Sequence, residues 1–248
     1  MIILVTGASS GFGEAMARQF VRHGHRVIAA ARRLDRLAAL HQELGSLLLP
    51  VSLDVTDKAS IETMLKNLPM DWQDIDVLIN NAGLALGVAP AQKANLDDWE
   101  TMIDTNNKGL VRMTHALLPQ LIARQNGVII NIGSIAGSVA YPGGNVYGAT
   151  KAFVDQFTLN LRADLVGTGV RASNIAPGLC SGTEFSNVRL KGDDEAAAKV
   201  YQGAQALTAI DIAETAYWIA TLPAHVNINY IEMMPACQGF SALHVVRN

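Results

Sequence analysis

Tyr147 and Lys151 stand four residues apart in a stretch with helical character. That spacing puts both side chains on one helix face, about one turn apart. A free phenol titrates near ~10, too high to exchange a proton efficiently at neutral pH, but an adjacent ammonium favours the phenolate. The pair is therefore read as an acid/base unit. Ser134, directly after the apolar stretch Val128–Ile132, would offer a hydroxyl to a substrate oxygen. On spacing alone such a trio also arises by chance, since serines after strands often cap turns. A second constellation is Thr6-Gly7-Ala8-Ser9-Ser10-Gly11-Phe12-Gly13. Its glycines permit a tight turn and close approach to a pyrophosphate, and the helix start behind them supplies N–H groups and a positive dipole end. Three residues separate Gly7 from Gly11 and one separates Gly11 from Gly13, which differs from the usual GxGxxG. Downstream, Arg32 and Arg33 occupy the place where NAD enzymes usually carry a carboxylate for the ribose hydroxyls. Two guanidiniums there suit a 2′-phosphate and favour NADP, the alternative being a solvated basic turn. Asp35 is read as capping the next helix.

These residues need a scaffold, and the apolar pattern predicts one. Ile2–Val5 reads as a buried strand, followed by a helix over Glu14–Arg22 and a strand over Val27–Ala31. The alternation continues with a helix near 34–44, a strand at 47–53, a helix near 61–68 and a strand at 77–80. Later come a long helix near 107–123, a strand at 127–132, a helix from about 147 to 165 and a strand at 170–175. Such βαβ repetition implies one α/β domain over residues 1–248, a doubly wound parallel sheet in three αβα layers. Thr183 to Gln205 breaks the pattern with small, charged and glycine residues, and a substrate lid is expected over about 183–206. A helix near 210–220 and a strand near 226–233 close the domain.

Half of the 248 residues are hydrophobic and 17% are charged, with a formal charge of −3. That balance argues against disorder and against nucleic acid or anionic membranes as partners, and points to a small molecule. Cys180 and Cys237 form no CxxC pair, so free thiols in a reducing, cytoplasmic setting are expected. The apolar start lacks a basic leader region, and no run approaches the roughly 18 residues of a membrane span. The six histidines, His23, His25, His41, His115, His225 and His244, show no zinc-like spacing, so no metal site is expected.

Taken together, the glycine-rich loop, Asn80-Asn81-Ala82-Gly83, Ser134, Tyr147-Gly148-Ala149-Thr150-Lys151 and Pro177-Gly178 resemble the short-chain dehydrogenase/reductase family, classical type, over about the full length. The resemblance implies a Rossmann-like fold and a catalytic tetrad on Asn106, Ser134, Tyr147 and Lys151. By that analogy Tyr147 exchanges the proton, Ser134 steadies the substrate oxygen, Lys151 lowers the tyrosine's pKa and binds the nicotinamide ribose, and Asn106 holds a water. Cofactor contacts map onto Gly7, Ser9, Ser10, Gly11, Phe12, Gly13, Arg32, Arg33, Asp54, Val55, Asn81, Gly83, Tyr147, Lys151, Pro177, Gly178 and Thr183. Many NADP-preferring members carry a basic residue where this chain has Ser10, which leaves the preference on Arg32 and Arg33.

Within the family, Phe12-Gly13-Glu14, the stretch 102–109 and Gly182-Thr183-Glu184-Phe185-Ser186-Asn187-Val188-Arg189 are similar to bacterial NADP-dependent 3-hydroxy acid dehydrogenases, which resemble serine dehydrogenases. The implied substrates are L-serine, 3-hydroxyisobutyrate or 3-hydroxypropionate and the matching semialdehydes. Arg189 and Lys191 in the lid are candidates to hold the substrate carboxylate, or are plain solvated charges. The alternatives are a reductase of neutral ketones or aldehydes and a non-catalytic NADP(H) sensor. Family members usually form dimers or tetramers, so a homo-oligomer is expected.

Overall fold

The first strand, β1 (Ile2–Thr6), is apolar on both faces because helices cover both sides of the sheet it joins. In this computed structural model, which describes residues 1–239, the sheet has seven parallel strands in the order β3-β2-β1-β4-β5-β6-β7. The other strands are β2 (Arg26–Ala31), β3 (Leu48–Ser52), β4 (Val77–Asn80), β5 (Gly127–Ile132), β6 (Val170–Pro177) and β7 (Tyr230–Met233). His244 and the end of the expected domain lie outside the described residues. One core, built on Val5, Phe20, Leu37, Ile79 and Ile219, lies under α1 (Gly11–Arg22), α2 (Leu34–Leu44) and α9 (Ala209–Thr221). The other, built on Leu4, Ile28, Leu78, Met113 and Leu161, lies under α3 (Lys58–Lys66), α5 (Leu110–Ala123) and α6 (Asn145–Asp164). Each fully buried side chain of this size stabilises by about 1.5–3 kcal/mol, which makes the sheet a rigid base for the loops at its edge.

The order reverses between β1 and β4, and ligands of such sheets bind outside the strand C-termini at that switch. A buried polar network braces the middle of this region. Asn80 Nδ2 donates to Thr114 Oγ1 at 3.0 Å and to Asn131 Oδ1 at 2.9 Å, and Asn131 Nδ2 donates to Thr158 Oγ1 at 2.8 Å, tying β4 and β5 to α5 and α6.

Several elements differ from the sequence reading. Helix α1 begins at Gly11, so the last residues of the glycine-rich loop belong to its first turn. A helix absent from that reading, α4 (Leu96–Ile103), runs through a π-helical segment, Asp104–Gly109, into α5. Asp35 does not cap α2; Arg33 holds the N-cap position and Asp35 sits in the first turn, where its charge suits the dipole. The stretch expected to form a lid contains two short helices, α7 (Phe185–Arg189) and α8 (Asp194–Lys199). The last strand starts at Tyr230 rather than near 226.

Candidate active site

The glycine-rich loop is shaped by one threonine and one asparagine. Thr6 Oγ1 accepts from the amides of Asn81 and Ala82 at 3.0 Å each, and Asn81 Nδ2 donates to the Thr6 carbonyl at 2.8 Å. Gly7 and Gly11 have φ of +68° and +55°, a region that disfavours side chains. At Gly13 an added Cβ would meet the Gly7 carbonyl at 2.3 Å. Gly13 is thus the close packing point of helix on turn. It does not line the cavity, unlike the other loop residues expected to touch a cofactor. Ser10, the N-cap of α1, makes no side-chain cap, so the first-turn N–H groups are left for another acceptor.

A cavity of about 790 Å³ opens where the strands end. Its walls include Gly7, Ser9, Ser10, Gly11 and Phe12 at one end, Arg32, Arg33, Asp54 and Val55 beside them, and Asn81 and Gly83 across the switch point. Ser134, Tyr147, Lys151, Pro177, Gly178 and Thr183 line the other end. Arg33 is tied to both serines and to Glu184. Its Nε donates to Ser9 Oγ at 3.2 Å, its Nη2 to Ser10 Oγ at 2.7 Å and its Nη1 to Glu184 at 2.9 Å. Arg36, unremarked in the sequence, reaches the same Glu184 carboxylate at 2.7 Å; its signal was a third arginine one turn after Arg33. Both guanidiniums hold the Glu184 carboxyl below its ordinary range, with Arg33 the larger influence. For Asp54, burial works upward, but the Thr56 hydroxyl and amide outweigh it and hold the carboxyl low, with help from Arg32.

At the other end, Tyr147 is placed by the first turn of α6 and Lys151 by the next. Lys151 Nζ donates to the Ile132 carbonyl at 2.7 Å and lies 5.9 Å from the Tyr147 ring centre. Burial pushes the Tyr147 phenol up to about 12, the Ser134 hydroxyl opposing, Tyr141 adding to the rise and Arg189 opposing. Lys151 is not among these influences on the phenol, and its ammonium donates to the Ile132 carbonyl. Ser134 Oγ accepts from the Ala136 amide at 3.1 Å, capping the turn that follows, and donates to the Pro177 carbonyl at 3.4 Å.

Asn106 does not line the cavity; it sits in the π-helical segment, buried. Its amide clasps Leu84, accepting from the Leu84 amide at 2.8 Å and donating to its carbonyl at 2.9 Å, and donates to Thr150 Oγ1 at 3.0 Å. A Cβ on Gly83 would lie 3.2 Å from Asn106 Oδ1 and 3.7 Å from Lys151 Nζ. The insertion of one residue into the helix turns Asn106 inward here, as π-segments often do at functional sites.

The two carboxylate candidates, Arg189 and Lys191, part ways. Arg189 lines the cavity, with its guanidinium 5.6 Å from the Tyr147 ring centre and Nη2 donating to Tyr141 Oη at 2.9 Å. Lys191 does not; it pairs with Asp98 at 2.8 Å, outside the cavity, because the chain turns at Lys191-Gly192 with positive φ at both residues. Tyr141, in a loop with no periodic signal, could be found only from the fold.

A dinucleotide-shaped cleft at the switch point, ending on a buried tyrosine and lysine, defines an oxidoreductase of the Rossmann-like class. The short chain dehydrogenase family model matches residues 1–193, and the chain belongs to that family. It is 63% identical over 248 residues, all of both chains, to the NADP-dependent 3-hydroxy acid dehydrogenase YdfG of Salmonella typhi. It is 52% identical over 99% of its length and 98% of the relative's to the serine 3-dehydrogenase of Agrobacterium fabrum. Among solved structures, the closed form of a serine dehydrogenase complexed with NADP+ superposes with a TM-score of 0.99 at 61% identity, covering all of both chains.

Proposed function

We propose that this protein is an NADP-dependent dehydrogenase of small 3-hydroxy acids of the L-serine, 3-hydroxyisobutyrate or 3-hydroxypropionate type, and reduces the matching semialdehydes. The observation that carries this reading is Arg189, a guanidinium placed beside the Tyr147 ring inside the same cavity. A 3-hydroxy acid presents a hydroxyl and a carboxylate two carbons apart, which suits one group that moves a proton and one that grips an anion. The names and the bound NADP+ of the similar proteins agree with it.

The residues present fit the coenzyme. The glycine cradle and uncapped start of α1 suit a pyrophosphate, and Ser9, Ser10, Arg32 and Arg33 suit a 2′-phosphate. When bound, NADP supplies the hydride acceptor or donor. Tyr147, as phenolate, takes the proton from the substrate hydroxyl in oxidation and returns it in reduction. Ser134 donates to the same oxygen as its charge changes. Lys151, buried one turn beyond Tyr147, would hold the nicotinamide ribose with its ammonium. Asn106, through its clasp on Leu84 and Thr150, keeps that part of α6 and the loop after β4 in register.

We assign residues 1–248 to one domain with the stretch 183–206 as its lid. No described helix is long and apolar enough to cross a membrane. Cytoplasmic residence is supported by two free thiols, Cys180 buried and Cys237 exposed. Homo-oligomerisation is supported by Phe153 and Leu159, exposed along α6.

The test is initial rates of NADP+ reduction with L-serine, 3-hydroxyisobutyrate and a neutral secondary alcohol, for wild type and Arg189→Ala. The variant should raise KM for the acids roughly 10- to 100-fold, as expected for losing a hydrogen bond between charged groups, and leave the neutral alcohol unchanged. Equal effects on acids and alcohol would replace this reading with the reductase of neutral carbonyls.

A further inference from the structure

One turn beyond Lys151 on the same helix stands Asp155, half-buried and outside the cavity walls. Its Oδ1 accepts from Asn174 Nδ2 of β6 at 2.5 Å. Its carboxylate also presses against the turn that carries Ser134. A Cβ on Gly137 would come 2.5 Å from Oδ2, and one on Gly133 would come 3.0 Å from Oδ1. Both glycines flanking that turn thus leave the space this carboxylate fills. From β7, Glu232 faces the same region, accepting from Ser138 Oγ at 3.2 Å and Tyr230 Oη at 3.5 Å.

Lys151 has the opposite problem. Its ammonium is buried, with the Ile132 carbonyl as its hydrogen-bond acceptor, Tyr147 one turn before it and the Asn106 amide across Gly83. A buried ammonium is expensive unless a counter-charge offsets its lost hydration. On this helix the carboxylate nearest to it in sequence is Asp155, four residues on and on the same face; the two make no direct ion pair, so its charge acts across space.

We propose that Asp155 is a positioning residue for hydride transfer, an internal counter-charge that keeps Lys151 protonated in the buried site and, through the same carboxylate, holds the Ser134 turn against α6. This rests on reading Tyr147 and Lys151 as the acid/base pair. Burial drives Lys151 down to about 8, and Asp155 is the group that pulls it back up. Burial in turn drives Asp155 up to about 6, opposed by Asn174 and Lys151 and reinforced by Glu232. Tyr230 is pushed up to about 12 by burial, with Asp155 and Glu232 adding to it. The signs define a window. Below about 6 Asp155 takes up a proton and its support fades, above about 8 Lys151 loses its own, and between them both are charged.

The experiment follows the Lys151 side chain itself, by NMR titration of enzyme labelled with 13C at lysine Cε, the Lys151 signal being identified by its loss in Lys151→Arg. Asp155→Asn keeps the shape and can still accept from Asn174, but removes the charge. Its Lys151 midpoint should fall by about one pH unit, a Coulomb effect expected at this range in a partly buried site. At pH 8, where protonated Lys151 would drop from about one half to about one eleventh, its kcat for acid oxidation should fall roughly fivefold with KM for NADP+ unchanged. In Glu232→Gln, Asp155 should hold its charge to lower pH, and the acid limb of the kcat profile should move down with it. A Lys151 midpoint in Asp155→Asn equal to wild type overturns the proposal, even if Asp155→Ala loses activity, since that loss would be one of packing. Should Asp155→Asn not fold, an acid limb unmoved in Glu232→Gln overturns it instead. Persistent turnover in Tyr147→Phe would sink the acid/base reading separately, and would leave the Lys151 titration standing.

Discussion

The two ends of the cavity use the same kinds of side chain for different work. At the Arg33 end, the guanidiniums of Arg33 and Arg36 and the Glu184 carboxylate are 39–47% exposed, and their partners satisfy one another at the surface. At the Tyr147 end, the tyrosine and lysine are buried, and burial pushes the tyrosine up to about 12 and the lysine down to about 8. Water explains the contrast. Where it reaches the charges they serve recognition, strong only toward a ligand of matching charge and screened by salt. Where it is excluded, protonation becomes sensitive to each neighbour, which is what acid/base chemistry requires.

The comparison breaks first at Tyr147. Tyr147→Phe should cut kcat about 10³-fold in either direction while NADP+ binding, followed by fluorescence quenching, stays within about twofold. A variant that keeps more than a tenth of the activity would remove the chemical role from this end. Arg33→Ala sharpens the other side. Loss of charge-assisted contacts to a 2′-phosphate should weaken NADP+ roughly 30-fold, leave NAD+ within about threefold, and shrink toward no difference as salt rises. An equal loss for both coenzymes would make Arg33 a structural brace between the serines and Glu184. The smallest effect belongs to Lys191→Ala. Its ammonium is exposed although Asp98 is largely covered, so thermal unfolding should register only about 1 kcal/mol, and KM for L-serine should not change. A raised KM for acids alone would show that Lys191 leaves Asp98 and enters the cavity during turnover.

Most strands and helices were legible from apolar periodicity, because a sheet covered on both faces demands continuous apolar runs in strands such as Val77–Asn80 and Gly127–Ile132. The π-helical segment was not. Asp104–Gly109 carries no pattern that separates one inserted residue from a regular turn, and the gain that stabilises it, the Asn106 clasp on Leu84, comes from a distant loop. Arg189 and Lys191 also look equivalent in sequence. Only the turn at Gly192 and the position of Asp98 send one into the cavity and the other to the surface.

Residue order alone was enough for the parallel sheet, the glycine cradle, the arginines after β2 and the Tyr147–Lys151 spacing, since each depends on neighbours within a turn or on a repeating pattern. Burial and partnership across the chain were decided in three dimensions. The tyrosine's high pKa, the lysine's low one, the Asp155 carboxylate beneath the Ser134 turn and the bridging of two arginines by Glu184 join residues from 4 to 151 positions apart. Desolvation and Coulomb interaction depend on distance in space and access of water, and neither is a property of position along the chain.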